Sequence, residues 1–305
     1  MKYINLGNSD LKASVIALGC MRISGMNVKE VSGLVNKCAE LGINFYDHAD
    51  IYGGGVCEEL FGKVLKEQPG LRDDMIIQSK CGIRQGYFDF SKEHIISSTE
   101  GILKRLDIDC LDVLLLHRPD TLMEPEEVAI AFDTLQSKGM VKHFGVSNMN
   151  PAQIIFLEKA LNQKLVANQL QFSAAHTGMV DSGICVNMRV DQSIDRDGCI
   201  LEFCRTANIT IQTWSSLQYG FFEGTFLNSK KYPELNKVLD RIAKKYEITN
   251  AAAAIAWILR HPAKMQVIPG TTKADRIADM VKAVNVELTR PEWYEIYISA
   301  GNILP

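Results

Sequence analysis

No stretch of this 305-residue chain approaches the roughly 20 apolar residues that a membrane-crossing helix needs. Charge of one sign is equally scarce. The formal net charge of −3 gives no electrostatic case for nucleic acid or an anionic membrane as a partner, so any phosphate-binding capacity must be local. The eight cysteines, at positions 20, 38, 57, 81, 110, 185, 199 and 204, include no CxxC pair. Their scatter predicts reduced, buried thiols in a cytoplasmic protein rather than a disulfide framework. The opening residues Met1 to Gly7 hold one lysine but neither an apolar core segment nor a small-residue cleavage site, so no secretory signal is expected. A GxGxxG turn after a first strand is also missing, since Gly53-Gly54-Gly55 follows the second strand candidate with different spacing. That argues against a doubly wound open sheet.

What is present is alternation. Apolar residues make up 47% of the chain, enough for a large core, and strand-like and helix-like segments succeed one another almost throughout. A strand over 14–19 leads to a helix over 28–41, with Val31, Leu34, Val35 and Cys38 at helical spacing and Gly42 placed to end it. Strands over 43–47, 75–80, 111–116 and 141–147 alternate with helices over 57–67, 91–105 and 124–138. Asn150-Pro151 then reads as the cap and first position of a helix over 151–160. The pattern continues with strand 165–169, helix 196–207, strand 209–214, helices 233–246 and 249–261, strand 266–268, helix 273–283 and a last helix near 290–300. Residues 173–195 form a long insertion without periodicity, of a length that favours a functional loop. Eight strand candidates, each followed by helix or loop, predict an α/β chain folded as a (β/α)8 TIM barrel. Residues 1–305 read as a single domain.

Four ionisable residues then stand out. Asp47, Lys80 and His117 close strand candidates, and Tyr52 follows Asp47 within a few residues. In a parallel barrel the C-terminal strand ends converge on one face, so these four are expected to share a pocket. Together they could reduce a carbonyl. A tyrosine can deliver the proton, and its phenol, with a pKa of about 10 in isolation, is expected to move toward neutrality beside a lysine ammonium. Asp47 would keep that ammonium charged, and a neutral imidazole would orient the carbonyl oxygen.

The stretch Asn44-Phe45-Tyr46-Asp47-His48-Ala49-Asp50-Ile51-Tyr52-Gly53, with Lys80, Leu115-Leu116-His117-Arg118-Pro119 and Gly145-Val146-Ser147-Asn148, resembles the aldo-keto reductase family. The resemblance runs from about residue 3 to residue 283 and is closest to bacterial predicted NADP-dependent oxidoreductases. It implies Tyr52 as general acid/base, Lys80 and Asp47 as its tuning pair, and His117 as the group that orients substrate. Ser147, Asn148 and Gln169 match positions that hold a nicotinamide carboxamide, with Asp47 beside them, and Trp214 matches an aromatic stacked on the nicotinamide. Ser215, Leu217 and Gln218 match the pyrophosphate loop, where Ser216 replaces the usual proline.

Gly19, Cys20, Met21 and Arg22 occupy the first-strand loop that borders the cofactor through its backbone, with Cys20 and Arg22 departing from the commoner threonine-containing pattern. The segment Gly270-Thr271-Thr272-Lys273 with Arg276 opens a helix after the last strand. Phosphate binding there points to NADPH/NADP+ as cofactor. Asp279 is a conservative form of the family's usual acid, while Met280 stands where an adenine-contacting asparagine is common. Ile23, Tyr87, Phe88, Phe90 and Arg118 are expected around the substrate, a small carbonyl compound that is flat or apolar.

The chief alternative is a nucleotide-binding regulatory subunit of the same fold, like potassium-channel β subunits, with little turnover. A metal-dependent hydrolase would use Asp47, His48 and Asp50, but His48 should point away from Asp47 along an extended strand, and no metal site is expected. The family resemblance is compatible with a monomer.

Overall fold

The computed structural model describes residues 1–305, and the chain opens with an antiparallel hairpin of β1 (Tyr3–Asn5) and β2 (Lys12–Ser14). Strands β3 (Leu18–Gly19), β4 (Phe45–Asp47) and β5 (Ile76–Cys81) follow, then a second hairpin of β6 (Ile83–Arg84) and β7 (Tyr87–Phe88). The remaining strands are β8 (Leu111–Leu116), β9 (Val141–Ser147), β10 (Leu165–Gln171), β11 (Thr210–Trp214) and β12 (Gln266–Val267). Between them run α1 (Val28–Glu40), α2 (Val56–Glu67), α3 (Lys92–Leu106), α4 (Pro125–Ser137), α5 (Pro151–Glu158) and α6 (Gly178–Ile184). The later helices are α7 (Ile200–Ala207), α8 (Pro233–Tyr246), α9 (Asn250–Leu259), α10 (Ala274–Val281) and α11 (Arg290–Ser299).

Eight strands form one parallel sheet in the order β3-β4-β5-β8-β9-β10-β11-β12. Its two edges meet. Ile16 bridges Val267 in parallel, and the Gly19 amide donates to the Pro269 carbonyl at 3.0 Å. A side chain at Gly19 would put its Cβ 3.0 Å from that carbonyl oxygen and 3.1 Å from Ile268 Cγ2, so the seam would have to shift by a few tenths of an ångström to admit one. The sheet therefore closes as a (β/α)8 barrel.

Strand periodicity sorts the core into two compartments. Tyr46, Ile77, Leu114 and Ile211 point outward into the layer shared with the helices. Phe45, Ile76, Val113 and Leu115, one residue away in each strand, point to the axis with Ala167 and Ile268. Leu6 and Ala13 of the first hairpin join this inner cluster, so the hairpin packs against the barrel interior. Above the apolar layer the axis-facing positions turn polar: Asp47, Gln78, Gln169, Gln212 and Gln266 are all buried.

Helix starts are set by local side chains. Asn27 with Glu30, Asn150 with Gln153 and Thr289 with Glu292 each form a capping box, worth about 1 kcal/mol per cap. Gly42 ends α1 at φ +78°, as its position suggested.

Several sequence expectations shift. The first barrel strand is a two-residue ladder plus one bridge rather than a strand over 14–19. The helix expected from 196 begins at Ile200, because the Asp195 carboxylate accepts from the amides of Asp197, Gly198 and Cys199 and holds a turn there. The insertion contains α6 and docks on the C-terminal segment, with the Tyr297 hydroxyl donating to Asp181 at 2.8 Å and the Gln192 amide to Asn302 at 2.9 Å. All eight cysteines are free and six are buried, in line with the expectation, while Cys110 is half-buried and Cys199 exposed.

Candidate active site

The two-residue period acts as a ruler for the site. Lys80 lies two residues beyond Gln78 on β5, and His117 two beyond Leu115 just past β8, so both face the axis. Tyr52 begins a turn in which Gly53, Gly54 and Gly55 have φ of +59°, +64° and +97°. Only glycine takes that path cheaply, and a Cβ on Gly53 would also come within 2.7 Å of Ser24.

The phenol is thereby returned to the strand ends. Lys80 Nζ donates to Tyr52 Oη at 3.0 Å, to the Asp47 carboxylate at 2.8 Å and to the His48 carbonyl at 2.7 Å. The Tyr52 and His117 rings meet edge to face with centroids 6.0 Å apart. The four residues singled out by sequence are thus together, with Lys80 fully buried behind the phenol.

A ladder of glutamines supports Asp47 from below. Gln78 and Gln169 donate to Asp47 Oδ1 at 2.6 and 3.0 Å. Gln78 and Gln212 exchange reciprocal amide bonds of 2.9 and 3.1 Å. Gln212 donates onward to Gln266 at 2.8 Å, and Gln266 to the Ser14 carbonyl at 2.8 Å. Polar groups this deep are tolerated because nearly every donor finds an acceptor.

Electrostatics correct one expectation. Burial pushes the Tyr52 phenol above its ordinary value, and the Lys80 ammonium only opposes that rise. The phenol therefore stays protonated through the neutral range, which suits a proton donor. Burial alone would lower the Lys80 ammonium, but Asp47 and Tyr52 carry it above its usual value. Burial, with Lys80 and Arg118 nearby, drives His117 well below the imidazole range, so the ring is neutral. Its Nδ1 is buried without a hydrogen-bond partner. His48 points away from Asp47 and lays its ring edge-on against Phe61, centroids 4.6 Å apart, with burial lowering it to about 3.

The site opens into a cavity of about 740 Å³, within the usual range for small-molecule pockets. Its wall includes Gly19, Met21, Asp47, Tyr52, His117, Arg118, Ser147, Asn148, Gln169 and Trp214, and beyond them Ser215, Leu217, Gln218, Gly270, Thr271, Arg276 and Asp279. Asn148 Nδ2 donates to Ser147 Oγ at 2.7 Å, and Trp214 Nε1 to Asn148 Oδ1 at 3.2 Å. Gln169 Oε1 accepts no hydrogen bond from the chain, although its Nε2 is used.

Other expected residues lie elsewhere. Cys20 is fully buried with its thiol turned to the Leu18 carbonyl at 3.6 Å, and Ile23 and Phe90 are core residues. Tyr87 and Phe88 do not line the cavity. Pairing of β6 with β7 leaves both rings exposed, with the Arg84 guanidinium 5.7 Å from the Tyr87 ring, and Ile83 takes the wall position. Thr272 and Lys273 sit just outside the wall.

The wall also includes Arg22 of the first-strand loop, and two aromatic residues that the sequence did not place there. Arg22 reaches it through a bond to the Gly270 carbonyl at 3.0 Å, and Phe221 and Phe222 come from the segment after β11. The signal was the aromatic pair flanked by Gly220 and Gly224 in a turn-rich stretch, which no core position explains. That segment is tethered by Ser173 Oγ donating to the Gln218 carbonyl at 2.7 Å and Gln171 Nε2 to that of Gly220 at 2.6 Å.

Comparison with known proteins agrees with this architecture. The sequence model described as the Aldo/keto reductase family matches residues 15–299. The Bacillus subtilis oxidoreductase YcsN is 35% identical, with 97% of each chain covered. A 6-dehydroglucose reductase of Agrobacterium fabrum is 34% identical over 95% of each chain. Among solved structures, a thermostable aldo-keto reductase crystallised with the inhibitor epalrestat superposes with a TM-score of 0.78 at 26% identity, covering 98% of this chain and all of that one.

Proposed function

The chain belongs to the aldo/keto reductase family, and from that premise we propose that it reduces aldehyde or ketone carbonyls to alcohols, with NADPH as cofactor and residues 1–305 acting as one barrel domain. The observation that carries this reading is Lys80 Nζ standing 3.0 Å from Tyr52 Oη while held 2.8 Å from Asp47. Tyr52 gives its phenolic proton to the carbonyl oxygen as charge builds there. Lys80, at hydrogen-bond distance, steadies the phenolate left behind, and Asp47 keeps the ammonium charged and aimed. The neutral His117 ring orients the carbonyl oxygen from the other side.

NADPH, when bound, supplies the hydride. The free acceptor on Gln169 fits the amide of a carboxamide, with Ser147 and Asn148 alongside. Trp214 offers an aromatic face, and Ser215, Leu217 and Gln218 offer a loop for pyrophosphate. Arg276 and Lys273 flank the start of α10, whose amides lack a side-chain cap, and this favours a 2′-phosphate.

Fluorescence titration with NADPH and NADH tests the cofactor assignment, and a panel of aldehydes and ketones tests the reaction. The panel includes 6-dehydroglucose because of the Agrobacterium relative's name. Tighter binding of NADPH and turnover with at least one carbonyl are expected; binding of neither nucleotide below millimolar concentration would overturn the reading.

A further inference from the structure

Four arginines in this chain are half-buried: Arg72, Arg105, Arg118 and Arg260. Three have acceptors. Arg72 meets Asp112 at 2.9 Å, Arg105 meets Glu58 at 2.8 Å, and Arg260 donates to the Leu288 carbonyl at 2.6 Å. Arg118 forms no hydrogen bond or ion pair with any group of the chain, yet it follows His117 directly and lines the cavity. Its guanidinium carbon lies 5.5 Å from the Trp214 ring centre and 5.6 Å from that of Phe221. Aromatic faces hold a guanidinium in place without using its N–H edges, so its five donors have no acceptor within the chain and face the cavity.

No carboxylate on the wall is free to serve them. Asp47 is taken by Lys80, and Asp279 by Lys282 at 2.9 Å. Burial disfavours the Arg118 charge, so an anion arriving here would relieve a standing cost.

We propose that Arg118 is a specificity-determining residue that grips a carboxylate of the substrate, so that the favoured carbonyl compounds are oxo acids carrying that group a few atoms from the reacting carbon. This rests on the reductase reading above and narrows its substrate class. A carboxylate answers a guanidinium with two parallel hydrogen bonds, which fixes the far end of a small molecule while the carbonyl meets Tyr52 and His117. The apolar walls then serve the carbon skeleton between the two oxygen groups. That replaces the expectation of a plain flat or apolar carbonyl.

The test compares matched pairs with the NADPH-loaded protein: 4-carboxybenzaldehyde against its methyl ester, and succinic semialdehyde against butanal. In the wild type the acid is expected to exceed its neutral partner at least tenfold in kcat/KM, mainly through KM. Arg118→Met should bring that ratio to about one, and Arg118→Lys should leave an intermediate ratio because the charge stays and the fork is lost. A second readout needs no turnover. Calorimetric binding of 4-(hydroxymethyl)benzoate to NADP+-saturated protein should weaken at least tenfold in Arg118→Met, whereas the matching neutral diol should not discriminate the two proteins.

Neutral partners or sugar-like aldehydes reduced as well as the acids would overturn the proposal. So would a ratio that survives Arg118→Met, or a loss confined to NADPH affinity, which would assign the residue to the cofactor. If no carbonyl is turned over but the benzoate still binds through Arg118, the reductase reading fails and the anion site stands.

Discussion

The barrel axis and the rim of the cavity treat their polar groups in opposite ways. Around Asp47 the chain supplies its own partners: Gln78, Gln169 and Lys80 all donate to the carboxylate, and the glutamine ladder behind them runs across the barrel to the Ser14 carbonyl. Around Arg276 and Lys273 the chain supplies none, and both side chains reach into solvent at the start of a helix without a side-chain cap. The first region is finished before any ligand arrives and holds the Tyr52 phenol against Lys80. On the proposed reading the second is completed only by the cofactor's phosphate. On that reading the difference separates two functions, because a pre-satisfied network would set reaction rate whereas unsatisfied donors would set affinity.

The largest break in this comparison comes from Tyr52→Phe. Removing one hydroxyl from the finished region should cut kcat by about a thousandfold, roughly 4 kcal/mol of barrier, if the phenol is the proton donor. Affinity for NADPH, measured by fluorescence titration, should stay within a few fold. Because burial holds the phenol above its ordinary value, carbonyl reduction should not fall on the alkaline side until pH passes about 10. A thousandfold loss in nucleotide binding instead would mean that the two regions are not separable.

Next in size is Gln78→Leu. This removes a donor from Asp47 and leaves Gln212 without its reciprocal partner, all in the dry interior. Loss of about 2–4 kcal/mol in urea unfolding is expected from the orphaned amide and the weakened carboxylate. An equal loss of stability in a variant of the ligand-completed region, such as Arg276→Ala, would erase the contrast.

How far the sequence revealed each region follows from the same difference. Strand-end residues in the finished region were legible because period-two alternation and strand length together fix where Asp47, Lys80 and His117 point. The glutamine ladder was not. A buried Gln in a strand looks like any polar interruption until the closed sheet shows that Gln78 and Gln212, 134 residues apart, share an axis. Tyr87 and Phe88 misled for a related reason: two aromatics soon after the strand that carries Lys80 suggest a pocket wall, but a two-residue hairpin rotates them outward. The first hairpin escaped because strands of three residues carry too little pattern to separate from loop. Phe221 and Phe222 lie in a segment whose path is set by tethers from Gln171 and Ser173, about 50 residues earlier.

For the ligand-completed region the expected effect is smaller and of a different kind. Arg276→Ala should weaken NADPH about tenfold, near 1.4 kcal/mol, through loss of a charge-assisted contact with the 2′-phosphate. NADH affinity should change little, and unfolding in the absence of nucleotide should be unaltered. Equal losses for both nucleotides would move Arg276 off the 2′-phosphate.

A third region, far from the reaction in sequence, calibrates the smallest effect. Glu292 closes the cap of α11 and takes bonds from Lys245 at 2.6 Å, Tyr246 at 2.9 Å and the Thr289 amide at 2.8 Å. Burial would raise its carboxyl, but these donors outweigh it and hold the group at about 2. A depressed carboxyl stabilises the fold at any pH above its unfolded value, near 4.5, and that contribution fades as pH drops toward 2. Lys245 is half exposed and solvent screens it, so the contribution is about 1 kcal/mol. Glu292→Gln should therefore lower the neutral-pH stability by that amount and flatten the acid side of the stability curve between pH 4.5 and 2. Carbonyl turnover should be untouched, because the cluster joins only the end of α8 to the start of α11 and has no bond to the glutamine ladder. A change in kcat in this variant would show that the finished region extends to the outer helices and is not confined to the barrel axis.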